Sequence, residues 1–220
     1  MRSTVIAPSL LSADFARLGT ELERAEEAGA DWHHVDVMDG HFVPNLTIGP
    51  PVLEALSRRS KRPLDVHLMI MDPWKHCDAF LDAGAMGLTF HAEVLGNGDP
   101  DALIRRIHAR GARAGLALNP DTSLSAVLPF LDMIDMVLIM CVQPGFGGQR
   151  FRTPVLPKVR ALRTEHGYPG DIQMDGGLMR DNVGACAEAG CNVFVAGSAL
   201  FGSPNMKREI ALFRDRIGAA

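Results

Sequence analysis

The sequence predicts a (β/α)8 TIM barrel, a closed ring of eight parallel strands with helices packed around it. Three observations lead there. Short apolar runs recur along the 220 residues, with the few polar interruptions expected of strands buried on both faces. Amphipathic stretches alternate with them, which is the pattern of repeated βα units. Eight such units in 220 residues leave about 27 residues each, the size of a compact barrel. A doubly wound open sheet is the competing arrangement for alternating elements.

The strand candidates are 4–9, 32–38, 64–69, 87–91, 113–118, 136–141, 171–174 and 192–196. Helices are predicted over 14–28, 73–83, 101–110 and 181–189. The first carries Phe15, Leu18, Leu22 and Ala25 near helical spacing and stops at Gly29. The second has Pro73 in its first turn after Asp72 and stops at Gly84. The others stop at Gly111 and Gly190. Pro at the start and Gly just past the end is the asymmetry of helix termini. An Ala-Gly-Ala/Cys-x phrase recurs at 28–31, 83–86 and 189–192, one αβ connection used three times. No linker or low-complexity tract interrupts 1–220, which reads as one domain.

The apolar fraction is 47% and the charged fraction 22%, ordinary for a globular protein. The formal charge of -4 argues against nucleic acid as the main partner. It leaves room for a small phosphate, which backbone amides hold without a basic surface. No apolar run reaches the length of a membrane span. Cys77, Cys141, Cys186 and Cys191 lack C-x-x-C spacing and read as reduced thiols of a cytoplasmic protein. The N-terminal segment reads as the approach to a first strand, with no targeting peptide expected.

Barrel chemistry sits at the C-terminal ends of the strands. Residues two apart share a strand face, so His34, Asp36 and Met38 point together, as do Asp65, His67 and Met69. The seventh strand ends at Asp175. If these faces look into the mouth, His34, Asp36, His67 and Asp175 converge, a plausible N2O2 set for a borderline divalent ion. A lone buried His is more often a satisfied core residue. Four buried polar groups at strand ends need partners together, and a cation supplies one. Glycines follow the last three strands: Gly145, Gly147 and Gly148 around Phe146, then Gly176-Gly177, then Gly197-Ser198. They either make tight turns or bring backbone amides close to a phosphate. The loop around Phe146 has the composition of a mobile lid. Met38, Met69 and Met140 are core fillers or a soft apolar floor beneath reacting carbons.

These residues carry a resemblance that runs nearly end to end. Residues 7–15 (APSLLSADF), 34–45 (HVDVMDGHFVPN), 65–69 (DVHLM), 144–149 (PGFGGQ), 175–177 (DGG) and 195–198 (VAGS) together resemble the ribulose-phosphate 3-epimerase family. The resemblance implies a barrel of the ribulose-phosphate-binding type. It implies one divalent ion per subunit (Zn2+, Fe2+, Mn2+ or Co2+) on His34, Asp36, His67 and Asp175. It makes Asp36 and Asp175 the acid/base pair that moves a proton at C3 through a metal-stabilised 2,3-enediolate. Ser9 and His67 would contact the sugar, and Gly145, Phe146, Gly147, Gly148, Gly176, Gly177, Gly197 and Ser198 would take the phosphate end. The implied reaction interconverts D-ribulose 5-phosphate and D-xylulose 5-phosphate in the cytoplasm, by a homo-oligomer. Gln143, Cys141 and Met174 depart from the family pattern, and an oxidisable Cys141 near the site is one expectation.

Three rivals remain. A sibling epimerase of a six-carbon ketose phosphate, such as allulose 6-phosphate, shares the same ligands and carboxylates. A catalytically silent sugar-phosphate-binding barrel would not need all four. A Schiff-base enzyme would need a Lys at a strand end, and Lys61, Lys75, Lys158 and Lys207 all fall in predicted helices or loops.

Overall fold

The computed structural model describes residues 3–219, so the two ends of the expected 1–220 unit, and the first residues of its N-terminal segment, lie outside the described residues. The strands are β1 (Val5–Pro8), β2 (His33–Met38), β3 (Leu64–Met69), β4 (Gly87–His91), β5 (Arg113–Leu118), β6 (Met136–Met140), β7 (Asp171–Asp175) and β8 (Val193–Ala196). All ladders are parallel, in the order β1-β8-β7-β6-β5-β4-β3-β2. The ring closes between β1 and β2 through a parallel bridge of Ser9 with His34. The Asp31 amide also donates to the Ile6 carbonyl at 3.0 Å. This is the closed barrel, not the open doubly wound sheet.

Every residue of β2 and β3 is buried. Val35, Val37, Leu64, Val66 and Leu68 face outward and share one apolar core with helix residues such as Leu53, Leu56 and Phe80. The alternate residues face into the barrel, and many of those are polar. His34, Asp36, Asp65, His67, Thr89, His91 and Gln173 are all buried. A barrel interior normally filled with branched apolar side chains is here polar along one side. Smaller apolar clusters fill the rest: Ala117, Leu138, Met140 and Val142, and Met38, Val43 and Met69.

The outer layer comprises α1 (Leu18–Glu27), α2 (Pro50–Ser57), α3 (Pro73–Asp82), α4 (Pro100–Ala109), α5 (Leu156–Thr164), α6 (Val183–Glu188), α7 (Ser198–Phe201) and α8 (Met206–Gly218). Asp72 and Asp99 cap α3 and α4 by accepting from the Lys75 and Ala102 amides, with Pro in each first turn. The recurring Ala-Gly phrase is a helix stop: Gly29, Gly84 and Gly190 have φ of 99°, 99° and 108°, the left-handed position after a helix that glycine takes without strain.

Two expectations shift. The helix predicted from residue 14 begins as a 3-10 turn, Phe15–Arg17, because the Asp14 carboxylate accepts from the Ala16 amide; α1 starts at Leu18. Between β5 and β6 the crossover holds two 3-10 turns, Leu124–Ala126 and Leu128–Phe130, and no α-helix. Pro129, in the second turn, lacks the amide that a continuing helix would use. No helix among the described residues is long and apolar enough to cross a membrane.

Phe194 on β8 is fully buried in the core between sheet and helices. Phe194→Ala should lower unfolding free energy by about 3–5 kcal/mol in a urea titration.

Candidate active site and metal centre

Asp36 is the centre of the barrel mouth. Its Oδ2 accepts from the Ser9 hydroxyl at 2.6 Å, and its Oδ1 lies 3.1 Å from His67 Nδ1 and 3.3 Å from His34 Nε2. The second Asp, Asp175, ends β7 with Oδ2 3.9 Å from His34 Nε2. One ligand atom from each of His34, Asp36, His67 and Asp175 falls within 4.8 Å of all the others. The four residues read from the sequence therefore converge.

The proton inventory of this cluster fits a cation. The Asp65 carboxylate only accepts, so His34 Nδ1, 2.8 Å from its Oδ2, carries a proton. That oxygen also accepts from Gln173 Nε2 at 2.6 Å, which fixes Asp65 in turn. His34 Nε2 is then turned toward two carboxylates, and it is buried without a hydrogen-bond partner. Two imidazole nitrogens and two carboxylates suit a borderline divalent ion. In the absence of a metal a proton takes that place. Burial opposes charge on His34, but the Asp36 and Asp65 carboxylates outweigh it and raise its pKa well above the ordinary value. Burial takes His67 the other way, down to about 4, with the His91 and His34 rings adding to the shift.

The two carboxylates are driven apart. Burial alone would raise Asp36, yet His34 and His67 hold its pKa far below the ordinary carboxylate value. Burial and the neighbouring Asp36 charge push Asp175 up to about 7.

Above the cluster is an open-mouthed cavity. Ser9, Met38, Met69, Met140, Gly145, Phe146, Gly147, Gly148, Gly176, Gly177, Gly197 and Ser198 all line it, with Asp36 and Asp175 at its base. His34 and His67 do not line it; both are wholly buried beneath the floor. Met38, Met69 and Met140 are almost fully buried. Phe146 stands on the rim, 55% exposed. Its loop is braced: Gln149 Nε2 donates to the Gln143 and Phe146 carbonyls, and Asn45 Nδ2 to the Gly145 carbonyl. Gly177 has φ of 67°, and a Cβ there would lie 2.5 Å from the Phe151 amide nitrogen, so only glycine fits.

Cys141 does not belong to the site. Its side chain is fully buried in the core between barrel and helices, where burial raises the thiol well above its usual pKa, which leaves it inert. The Gln143 amide donates to Asp121, away from the cluster.

A model of the ribulose-phosphate 3 epimerase family matches residues 5–201. The chain belongs to that family. It is 48% identical over 217 residues to ribulose-phosphate 3-epimerase from Synechocystis sp., covering 97% of this chain and 94% of the relative. The cytoplasmic isoform of ribulose-phosphate 3-epimerase from Oryza sativa is 45% identical, with 96% and 93% covered, and the Bacillus subtilis enzyme is 45% identical, with 95% and 97% covered. Among solved structures, KGPDC from Streptococcus mutans aligns with a TM-score of 0.75 over 99% of both chains at 15% identity, which shows the shared fold.

In this member of the epimerase family, sequence reading misses the groups behind His34 and His67. Asp65 was placed on the correct face without a role, and Gln173, His91 and Glu93 were not singled out. The available signal was His91, a second imidazole at the end of a strand beside that of His67.

In metal-free protein, Asp175 has a folded pKa near 7 against an ordinary 3.8. Its contribution to stability is fully present below about pH 4 and is lost as pH rises through 7. Chelated wild type should therefore lose on the order of 4 kcal/mol between pH 4 and pH 8 relative to Asp175→Asn, measured by urea unfolding across that range. Parallel pH profiles for the two proteins would contradict the raised pKa.

Proposed function

We propose that this protein is a metal-dependent epimerase that interconverts D-ribulose 5-phosphate and D-xylulose 5-phosphate by moving the C3 proton between two carboxylates. The observation that carries the reading is one pair, Asp36 and Asp175, brought together in one metal-competent cluster at the base of one cavity. Inversion at a carbon beside a ketone needs an ionised group on one face and a protonated one on the other. Asp36, held ionised by its imidazole neighbours, serves as base. Asp175, the second carboxylate of the pair, starts protonated and serves as acid. When Asp36 takes the C3 proton, the C3–H electron pair passes into a 2,3-enediolate. Asp175 then delivers its proton to the other face of C3, and the reverse reaction exchanges the roles.

His34, Asp36, His67 and Asp175 would hold the divalent ion, Zn2+, Fe2+, Mn2+ or Co2+. Such an ion supplies positive charge where negative charge develops on the substrate oxygens. Ser9 orients Asp36 through the hydroxyl bond to Oδ2. The three Met side chains keep the floor dry, which strengthens every charge interaction above it. The amides around Gly147, Gly148, Gly177, Gly197 and Ser198 would take the phosphate, and the loop at Phe146 would close over the sugar. Phosphate binding far from C3 then contributes by orientation. His67 acts from below the floor as a ligand, and its contact with the sugar is not part of this reading. Residence in the cytoplasm and assembly as a homo-oligomer belong to the same reading; four free, buried cysteines and the name of the rice relative support the former. No observation favours the six-carbon substrate.

Ribulose 5-phosphate turned over in deuterium oxide should acquire deuterium at C3, detected by mass spectrometry, and absence of label would reject the mechanism. Asp175→Asn should lower kcat about 10²–10⁴-fold while circular dichroism shows the barrel intact. Stripping metal with a strong chelator should abolish turnover, and a stoichiometric divalent ion should restore it; full activity in a protein shown by elemental analysis to be metal-free would remove the ion from the reading.

A further inference from the structure

His91 and Glu93 lie outside the four-residue cluster, yet they are joined to it. His67 presents Nδ1 to Asp36 and Nε2 to His91 Nε2, 2.8 Å away. The two rings stack, with centroids 5.0 Å apart. His91 Nδ1 is 2.9 Å from Glu93 Oε2. The other Glu93 oxygen accepts from the Asn119 amide at 2.8 Å and from the Thr122 hydroxyl. The Lys158 ammonium donates to the carbonyls of Asn119, Pro120 and Thr122, which pins that loop after β5. His91 is wholly buried, with the Phe42 ring centroid 4.5 Å from its own.

With both ring protons, His67 donates from Nδ1 to Asp36 and from Nε2 to His91 Nε2. Two further proton inventories leave His67 with a single proton. In one, His91 carries both protons and donates into His67 Nε2, so the His67 proton sits on Nδ1 and faces Asp36. In the other, each ring carries one. The Glu93 carboxylate only accepts, so the His91 proton is on Nδ1. His91 Nε2 is then a lone pair, which accepts from His67 Nε2–H. His67 Nδ1 is left as a lone pair aimed at Asp36 Oδ1. Only the last inventory makes His67 a ligand.

We propose that Glu93 and His91 are positioning residues that fix the tautomer and ring orientation of His67 and so prepare Nδ1 to bind the divalent ion. The idea rests on the metal reading above. Glu93 sets the direction of the chain, His91 transmits it, and neither touches the substrate cavity. The arrangement mirrors Asp65 on His34, but with an imidazole inserted between carboxylate and ligand. A hydrogen-bond partner behind a metal-binding His is typically worth 10–100-fold in metal affinity.

Two measurements on the zinc-loaded full chain test it. Long-range 1H–15N spectra should show neutral His91 protonated on Nδ1 and His67 protonated on Nε2; a doubly protonated His91, or one protonated on Nε2, overturns the proposal. Competition of bound Zn2+ against a chelator of known affinity should show His91→Leu losing zinc about 10–100-fold more readily. His91→Gln should recover to within about threefold of wild type, because its amide carbonyl reaches the place of Nε2 and accepts the same bond. Glu93→Gln should weaken zinc binding about 10-fold, and it serves should His91→Leu not fold. A role in packing alone would lower thermal stability without separating Leu from Gln in zinc affinity. Wild-type zinc affinity in all three variants overturns the relay alone. Wild-type protein with no zinc affinity overturns the metal reading itself.

Discussion

The mouth of this barrel depends on the charge of one carboxylate, Asp36. It is buried to 2% exposure and receives an imidazole on either side of one oxygen and a hydroxyl on the other. An uncompensated anion at that depth would be too costly to keep. Its neighbours therefore have to supply positive charge, as a proton or as a metal ion. The same requirement governs Asp175: with Asp36 ionised, the second carboxylate is pushed toward its neutral form. One buried charge thus sets both the demand for a cation and the opposite protonation preferences of the two carboxylates.

Polar groups inside the barrel form an almost continuous line around that charge. It runs from Gln173 through Asp65 and His34 to Asp36, and on through His67 and His91 to Glu93. Each contact limits which nitrogen of its neighbour can carry a proton. Such networks are costly when half satisfied and specific when complete. The line is unsatisfied at His34 Nε2, and also at Asp65 Oδ1 and Gln173 Oε1, all buried without a hydrogen-bond partner. A cation at His34 Nε2 joins the two halves of the line.

The ring, its eight strands and the four residues of the metal-competent cluster were legible in the sequence because each obeys a local rule. Apolar runs mark strands, Ala-Gly phrases mark helix stops, and spacing of two puts His34 with Asp36 on one face. The 3-10 entry to α1 was not legible, because choosing Asp14 as the cap of a short turn depends on where the chain must leave β1. The supporting residues were hidden for a different reason. Asp65, Gln173, His91 and Glu93 lie on β3, β7, β4 and the turn after β4, and only closure of the ring brings them behind His34 and His67. Cys141 shows the converse error: close to Asp175 in register, with its amide donating to the Asp175 carbonyl at 2.6 Å, it nevertheless points to the opposite side of the sheet.

The placement of support has a consequence for how the fold divides its tasks. The metal-competent cluster and its partners stand on strands or immediately after them, where packing locks their rotamers. The cavity wall that faces a substrate is built instead from glycine loops after β6, β7 and β8. The two sets meet only at Asp36, Asp175 and the Met floor. Charge placement near Asp36 tolerates little displacement, because interactions at low dielectric change steeply with distance. Backbone amides around a phosphate tolerate more, since several donors share one anion. Rigid strands therefore carry the groups whose protonation matters, and loops carry those that only grip.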